Sequence, residues 1–255
     1  MKQSTFEVVS NRQLAHDVFE LVLEGDAMAF TAPGQFAEIS VPGLFLRRPI
    51  SVCDWTDSSM TLLVKVVGQG TAALHAMGRG EKIDILTGLG NGFSTDVRDG
   101  AALIGGGIGI APLYGLAKRL VARGAAAPAA VLGFRGAADV FCAEEFAAIG
   151  CDVRIATEDG SVGTRGFVTD AMKTLPPIRY AYACGPMPML RAVAVCVPDG
   201  EFSLEARMGC GFGACMGCTV VTPAGPRRVC VDGPVFGLRD FPVDRPPPRA
   251  GQDCA

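Results

Sequence analysis

Over its first hundred residues the chain alternates apolar and polar positions in short runs. "STFEVVSNRQ" (4–13), "VFELVLEG" (18–25), "GQFAEISVP" (34–42), "MTLLVKVVG" (60–68) and "EKIDILTG" (81–88) are each strand-length and bounded by Gly, Pro or Asp. Period-two patterning at that spacing predicts an antiparallel sandwich or barrel. One short helix is expected at "TAALHAMG", with Thr71 as its N-cap.

From residue 101 the pattern changes. Apolar runs at "AALIGG", "AAVLGF", "DVRIAT" and "YAYACG" alternate with helical stretches at "APLYGLAKRLVARG", "AEEFAAIG", "FVTDAMKTL" and "MPMLRAVAVC". Strand and helix in turn predict a Rossmann-like parallel sheet covered on both faces. A cysteine-rich stretch follows Gly200, and the Pro-rich tail is expected to fray. The expected organisation is a barrel domain over 1–98, an α/β domain over 99–200, a small cysteine domain over 201–245 and a frayed tail over 246–255.

Composition narrows the function. Of the 255 residues 49% are hydrophobic, enough for a sizeable core, and the formal net charge is −3 with no long basic run. That argues against nucleic acid as the main partner. The N-terminus carries no apolar secretory segment, and the most apolar stretch, 101–117, is Gly-rich, contains Pro112 and falls short of a membrane span. A cytoplasmic protein is expected. Ten cysteines there point to metal or redox chemistry before disulfides.

Four of the ten fall in "MGCGFGACMGCTVVTPAGPRRVC". Cys210, Cys215 and Cys218 make a C-x4-C-x2-C run, and Cys230 follows after eleven intervening residues. Structural zinc commonly uses two separated C-x2-C pairs. The C-x4-C-x2-C run is the plant-type spacing for a [2Fe–2S] cluster, and the interspersed glycines let backbone N–H groups approach sulfur. Zinc and free thiols are the alternatives. Cys53, Cys142, Cys151, Cys196 and Cys254 read as core or incidental thiols.

Four further segments suit a bound nucleotide. "GGGIGIAPL" (105–113) follows a strand and opens a helix as G-x-G-x-x-P, with Gly107, Gly109 and Pro112 at the key positions. A helix start offers N–H groups and a positive dipole end to a pyrophosphate. A tight turn without a ligand is the plainer explanation. "CGPMPML" puts Cys184 at the carboxyl edge of the sheet, where a nicotinamide would approach. In the barrel half, "RRPIS" places Arg48 and Ser51 at the end of an apolar strand, and "GQGT" (68–71) precedes the short helix. After the second α/β strand the only cation is Arg135, and after the third come Glu158 and Asp159, which favours NADH over NADPH. His16 and His75 read as ordinary surface or packing residues.

In this order the motifs resemble the ferredoxin-reductase superfamily. Within it the chain is similar to the electron-transfer subunits of type B dihydroorotate dehydrogenases, over residues 5 to about 240. The resemblance rests on "RRPIS", "GLGNGF", "GGGIGIAPL", "DGSVGTRGFVTD", "CGPMPML", "SLEARMGCGFGACMGC" and "RVCVDGPVF". It implies an antiparallel β-barrel flavin domain, an NAD domain and a C-terminal [2Fe–2S] domain, with one FAD, one cluster and NAD(H) as substrate. FAD contacts would fall on Arg48, Pro49, Ile50, Ser51, Leu63, Val64, Lys65, Gly70 and Thr71, and cluster ligands on Cys210, Cys215, Cys218 and Cys230. It further implies an FMN-containing dihydroorotate dehydrogenase catalytic subunit as partner, two copies of each in a heterotetramer, serving pyrimidine (UMP) synthesis. Two departures stand out: Thr87 where the family more often has Pro, and a short Cys218–Cys230 spacing that suggests a trimmed hairpin. A hydride carries two electrons and a cluster takes one at a time, so a flavin belongs between them and no side-chain acid–base pair is required. The competing readings are a flavin/[2Fe–2S] subunit of an electron-bifurcating ferredoxin:NADP oxidoreductase and a zinc-stabilised nucleotide-binding regulator.

Overall fold

The computed structural model describes residues 1–242. The expected frayed tail and Cys254 lie outside the described residues. The alternating half closes into a six-stranded antiparallel barrel. Its strands are β1 (Lys2–Ala15), β2 (Val18–Glu24), β3 (Phe36–Ile39), β4 (Arg48–Trp55), β5 (Ser59–Lys65) and β6 (Lys82–Leu89), in the order β1-β2-β5-β4-β3-β6. Alternate residues point inward, as a barrel requires. Phe6 and Val8, Phe19 and Leu21, Ala37 and Ile39, Leu62 and Val64, and Ile83 and Ile85 are buried in one apolar cluster.

Two local expectations change. "RRPIS" opens β4 instead of ending a strand, because Val52 and Cys53 behind it are buried and carry the strand on to Trp55. The short helix α1 (Gln69–His75) begins before Thr71, so Thr71 is not its N-cap. Its Oγ1 instead accepts from the backbone N–H groups of Val67 and Gly68 at 2.9 and 3.2 Å, reaching back over the first turn.

The second half is a seven-stranded sheet. β7 (Ala101–Gly106), α2 (Ile110–Ala122), β8 (Ala129–Phe134), α3 (Ala143–Ala148), β9 (Val153–Thr157), β10 (Thr164–Arg165), α4 (Val168–Met172), β11 (Tyr180–Cys184) and α5 (Met187–Cys196) follow the predicted alternation, with β10 as a short addition. Two further strands go beyond the predicted alternation: β12 (Gly200–Ser203) and β15 (Val235–Gly237). The sheet order is β10-β9-β8-β7-β11-β12-β15, parallel except for β15, which runs antiparallel to β12. The cysteine segment therefore leaves the sheet at β12 and returns to it at β15. In between lie a loop, the hairpin β13 (Thr219–Thr222) and β14 (Gly225–Arg228), and the single-turn α6 (Val229–Asp232).

Successive side chains along the sheet face opposite ways. Leu103, Leu132 and Tyr182 pack under α2 with Ile110, Leu113 and Leu116. Ile104, Val131 and Ala183 pack on the other face with Leu190 and Val193 of α5. That second cluster also takes in Cys218, Val229 and Cys230, together with Phe36 and Leu89 of the barrel. The cysteine segment is thus wedged between sheet and barrel. Among the remaining cysteines Cys53 and Cys151 are buried thiols and Cys142 is half-buried.

Candidate redox site

The chain turns one way from β7 to β8 and the other way to reach β11, which leaves a crevice at the carboxyl ends of these strands, the usual ligand position in open α/β sheets. A cavity of about 510 Å³ occupies it, lined by Gly106 at the end of β7, Gly107 and Ile108 after it, Phe134 and Arg135 at β8, Glu158 after β9 and Pro186 and Met189 after β11. Of the predicted loop residues, Gly107 lines this cavity, with φ +53° and open space where a Cβ would stand. Gly109 and Pro112 serve the loop by packing. A Cβ at Gly109 would run into the backbone carbonyl of Cys184, and Pro112 is buried in the first turn of α2. Asp17, Val18 and Lys65 of the barrel close the opposite wall. Sequence gave no sign of Asp17, since its place in the cavity depends on how the two halves meet.

Cys184 ends β11 and is buried. Burial pushes its thiol up to about 12, with Glu205 adding to the shift and the Ser203 hydroxyl opposing it. It stays a neutral thiol at ordinary pH.

The residues assigned to flavin come together at one end of the barrel. β4 and β5 pair antiparallel with Val52 opposite Leu62, which sets the start of β4 beside the end of β5. Leu63 and Val64 bury their side chains in the core, which leaves only their backbone available to a ligand. Arg48 lies across the first turn of α1, and a Cβ at Gly70 would run into its Nε. Arg48 Nη1 bonds the carbonyls of Leu46 and Arg47 at 2.6 and 3.3 Å. Its neighbour Arg47 pairs with Asp84, and Lys65 pairs with Asp17 at 3.1 Å. Among the described residues Arg48 makes no ion pair, which leaves its half-buried guanidinium suited to a phosphate. The Thr71 hydroxyl is spent on its own turn, so Thr71 and Gly70 have backbone to offer.

The cysteine loop turns its amides toward sulfur. Cys210 Sγ accepts from the N–H groups of Ala214 and Cys215 at 3.2 and 3.4 Å, Cys215 Sγ from Gly217 at 3.4 Å, and Cys218 Sγ from Cys230 at 3.5 Å. The curl requires left-handed backbone at Gly211 (φ +73°) and Gly213 (φ +91°). Burial works against ionisation of Cys210, but N–H donation from Cys215, Phe212 and Ala214 outweighs it and brings the thiol down to about 6. Cys230 is pushed up to about 12 by burial and by the adjacent Cys218. Among the described residues no three His, Cys, Asp or Glu side chains close on one point. The thiols fall two and two instead, Cys210 beside Cys215 and Cys218 beside Cys230. That division, with N–H groups aimed at sulfur, fits a [2Fe–2S] cluster held by two thiolates on each iron. The hairpin between Cys218 and Cys230 is short, its strands joined by a two-residue turn after Thr222.

One residue here escaped the sequence reading. Glu38 sits in β3 directly opposite Pro49 and is fully buried. Among the described residues neither carboxyl oxygen has a hydrogen-bond partner. The cysteine loop covers it: a Cβ on Gly211 would run into Oε1. Burial pushes the carboxyl up to about 7, against the pull of Arg47 and with a smaller push from Cys210. Glu38 therefore lies in the wall shared by the flavin end of the barrel and the cysteine loop.

Comparison with known proteins bears on this arrangement. Residues 205–241 match the iron–sulfur cluster binding domain of dihydroorotate dehydrogenase B, and residues 103–195 match the oxidoreductase NAD-binding domain. The dihydroorotate dehydrogenase B (NAD(+)) electron transfer subunit of Geobacillus sp. (strain WCH70) is 44% identical over 92% of this chain and 97% of its own. The chain belongs to this family. The corresponding subunit of Listeria monocytogenes serovar 1/2a is 42% identical over 92% of this chain and 97% of its own. Among solved structures, that of an NADH-dependent reduced ferredoxin-NADP oxidoreductase superposes with a TM-score of 0.82 at 31% identity, covering 92% of this chain and 88% of that one. Phthalate dioxygenase reductase, at 17% identity and a TM-score of 0.65 over 86% of each chain, shares the fold. The family match runs through the cysteine segment as well as the nucleotide domain, which answers the zinc alternative.

Proposed function

We infer that this chain is the electron-transfer subunit of a dihydroorotate dehydrogenase, passing electrons between NAD(H) and an FMN-containing catalytic subunit through FAD and a [2Fe–2S] cluster, in pyrimidine synthesis. The observation that carries the reading is the shared wall at Glu38. The strand that bears Pro49 and the loop that bears Cys210 meet on one buried carboxyl, so the flavin end and the cysteine loop are next to each other. When bound, FAD exchanges a two-electron hydride for single electrons that an iron–sulfur cluster accepts.

The chain's own residues bind and orient. Arg48 is free to hold a phosphate, and Gly70 lets it lie over α1. The backbone at Leu63–Lys65 and the start of β4 form the seat beside it. Gly107 leaves room for the dinucleotide, and the neutral Cys184 keeps charge away from the end of β11. The four cysteines hold the cluster on a loop braced by N–H donation. A cytoplasmic location accords with this, since a reducing compartment keeps the four thiols available to iron. Among the described residues no helix is long and apolar enough to cross a membrane. A heterotetramer with two copies of each subunit goes with the same reading.

Cys215→Ser tests it. A serine hydroxyl is a poor iron ligand beside a thiolate, so iron should fall while FAD stays bound. Reduction of a small soluble dye by NADH should persist, and coupling to the FMN subunit should fail. Retained coupling in a preparation without iron refutes the relay. Loss of FAD together with both activities would show that the cysteine segment instead supports the fold of the whole chain.

A further inference from the structure

The cavity between sheet and barrel carries an unusual charge arrangement, and its meaning rests on the NAD(H) reading above. Among the described residues Lys65 and Arg135 are the two cations that line it. Acids already hold both. Arg135 presents Nε and Nη2 to Oδ2 and Oδ1 of Asp139 at 3.0 and 3.2 Å, a forked pairing of guanidinium and carboxylate. The same Nη2 lies 3.7 Å from Oδ2 of Asp17, and that oxygen also receives Lys65 Nζ at 3.1 Å. Asp17 belongs to the barrel, at the turn between β1 and β2. The turn is tied across to the sheet half by a bond from His16 N–H to the Ala138 carbonyl at 3.2 Å. Glu158 adds a third carboxylate on the cavity lining at the end of β9.

The adenosine ribose of a dinucleotide is read near the ends of these strands. A free 2′-hydroxyl asks for an acceptor, whereas a 2′-phosphate asks for an unoccupied Arg. To gain Arg135, a 2′-phosphate must displace a forked carboxylate and stand beside Asp17 and Glu158. An exposed ion pair is weak in itself, but here the competitor is another anion seeking the same fork.

We propose that Asp139, seconded by Asp17, determines coenzyme choice: by occupying the Arg135 guanidinium it denies that group to a 2′-phosphate and reserves the cavity for dinucleotides that lack one. Asp139 acts through Arg135 and is a positioning residue.

The test uses the full chain with FAD bound. Dye-coupled kcat/KM is measured for NADH and NADPH in the wild type, Asp139→Asn and the double variant Asp139→Asn/Arg135→Ala. Inhibition by AMP and by adenosine 2′,5′-bisphosphate is measured alongside. In Asp139→Asn the NADH:NADPH preference should fall roughly tenfold, the worth of one charge-assisted bond to phosphate. The bisphosphate should gain on AMP by a similar factor. Both shifts should vanish when Arg135 is also removed. An unmoved preference and unmoved inhibitor ratio in Asp139→Asn overturn the proposal. So does a shift that persists without Arg135, because it would then reflect only the lost negative charge. A wild type that does not oxidise NADH at all would fail the parent reading instead.

Discussion

Replacing Glu38 by Gln removes a charge from the most awkward position in the molecule while keeping the side chain's shape. The carboxyl is fully buried without a partner, and its pKa rises from 4.5 to about 7. That rise corresponds to roughly 3 kcal/mol between the two protonation states. The sign follows from which state holds the proton. Between 4.5 and about 7 the folded chain keeps Glu38 protonated and the unfolded chain releases the proton, so stability falls as pH rises through that window. The loss is complete above about 7. In a protein of this size 3 kcal/mol corresponds to roughly 6–12 °C of melting temperature. Gln has no such titration, yet its amide is buried where the carboxyl was and carries a penalty of about 1–3 kcal/mol at every pH. The informative quantity is therefore the wild-type minus variant difference, followed by thermal or urea unfolding of the FAD-bound chain from pH 5 to 8. Other groups titrate in both proteins and cancel. The variant should gain on the wild type steadily up to about pH 7 and then hold its gain. A difference that stays flat across the range would show that Glu38 is solvated or paired in solution and would refute the reasoning.

Two further substitutions probe the binding ends. Arg48→Ala removes the guanidinium that lies over the first turn of α1 and should weaken FAD by roughly tenfold to a hundredfold, read as flavin per protein after gel filtration; full occupancy would show that Arg48 has another role. Gly109→Ala keeps an allowed backbone, with φ at −62°, but drives a methyl into the Cys184 carbonyl, so the urea midpoint should drop by the equivalent of about 1–3 kcal/mol; a midpoint unchanged within error would mean that the loop yields freely.

The sequence by itself determined what depends on near neighbours in the chain. Alternation marked five of the six barrel strands, because one buried face imposes period two on any strand that lines it. The C-x4-C-x2-C run, the G-x-G-x-x-P turn and the R-P-x-S segment are local patterns, legible because spacing along a short loop limits which atoms can meet. The strand from Arg48 to Trp55 was half seen, since its proline-containing start reads like a strand's end. β12 and β15 were missed. At four and three residues they are too short to carry a period, and each is a strand only by virtue of its ladder partner.

Tertiary structure alone decided the rest. Gly109 reads as a phosphate-loop glycine, and its surroundings add a second demand, because the Cys184 backbone comes too close for a side chain. Thr71 reads as a helix cap, but the helix starts earlier and Thr71 bonds backward. Asp17, far from any nucleotide motif in sequence, reaches Arg135 across the junction of the two halves. Glu38 looks like one polar residue in an alternating strand, and its solvent face would ordinarily be water. Folding lays the Cys210–Gly211 turn over that face, 172 residues along the chain from Glu38 to Cys210. No local pattern can encode such a meeting, because burial of an outward-facing side chain is a property of what packs against it and not of the strand that carries it.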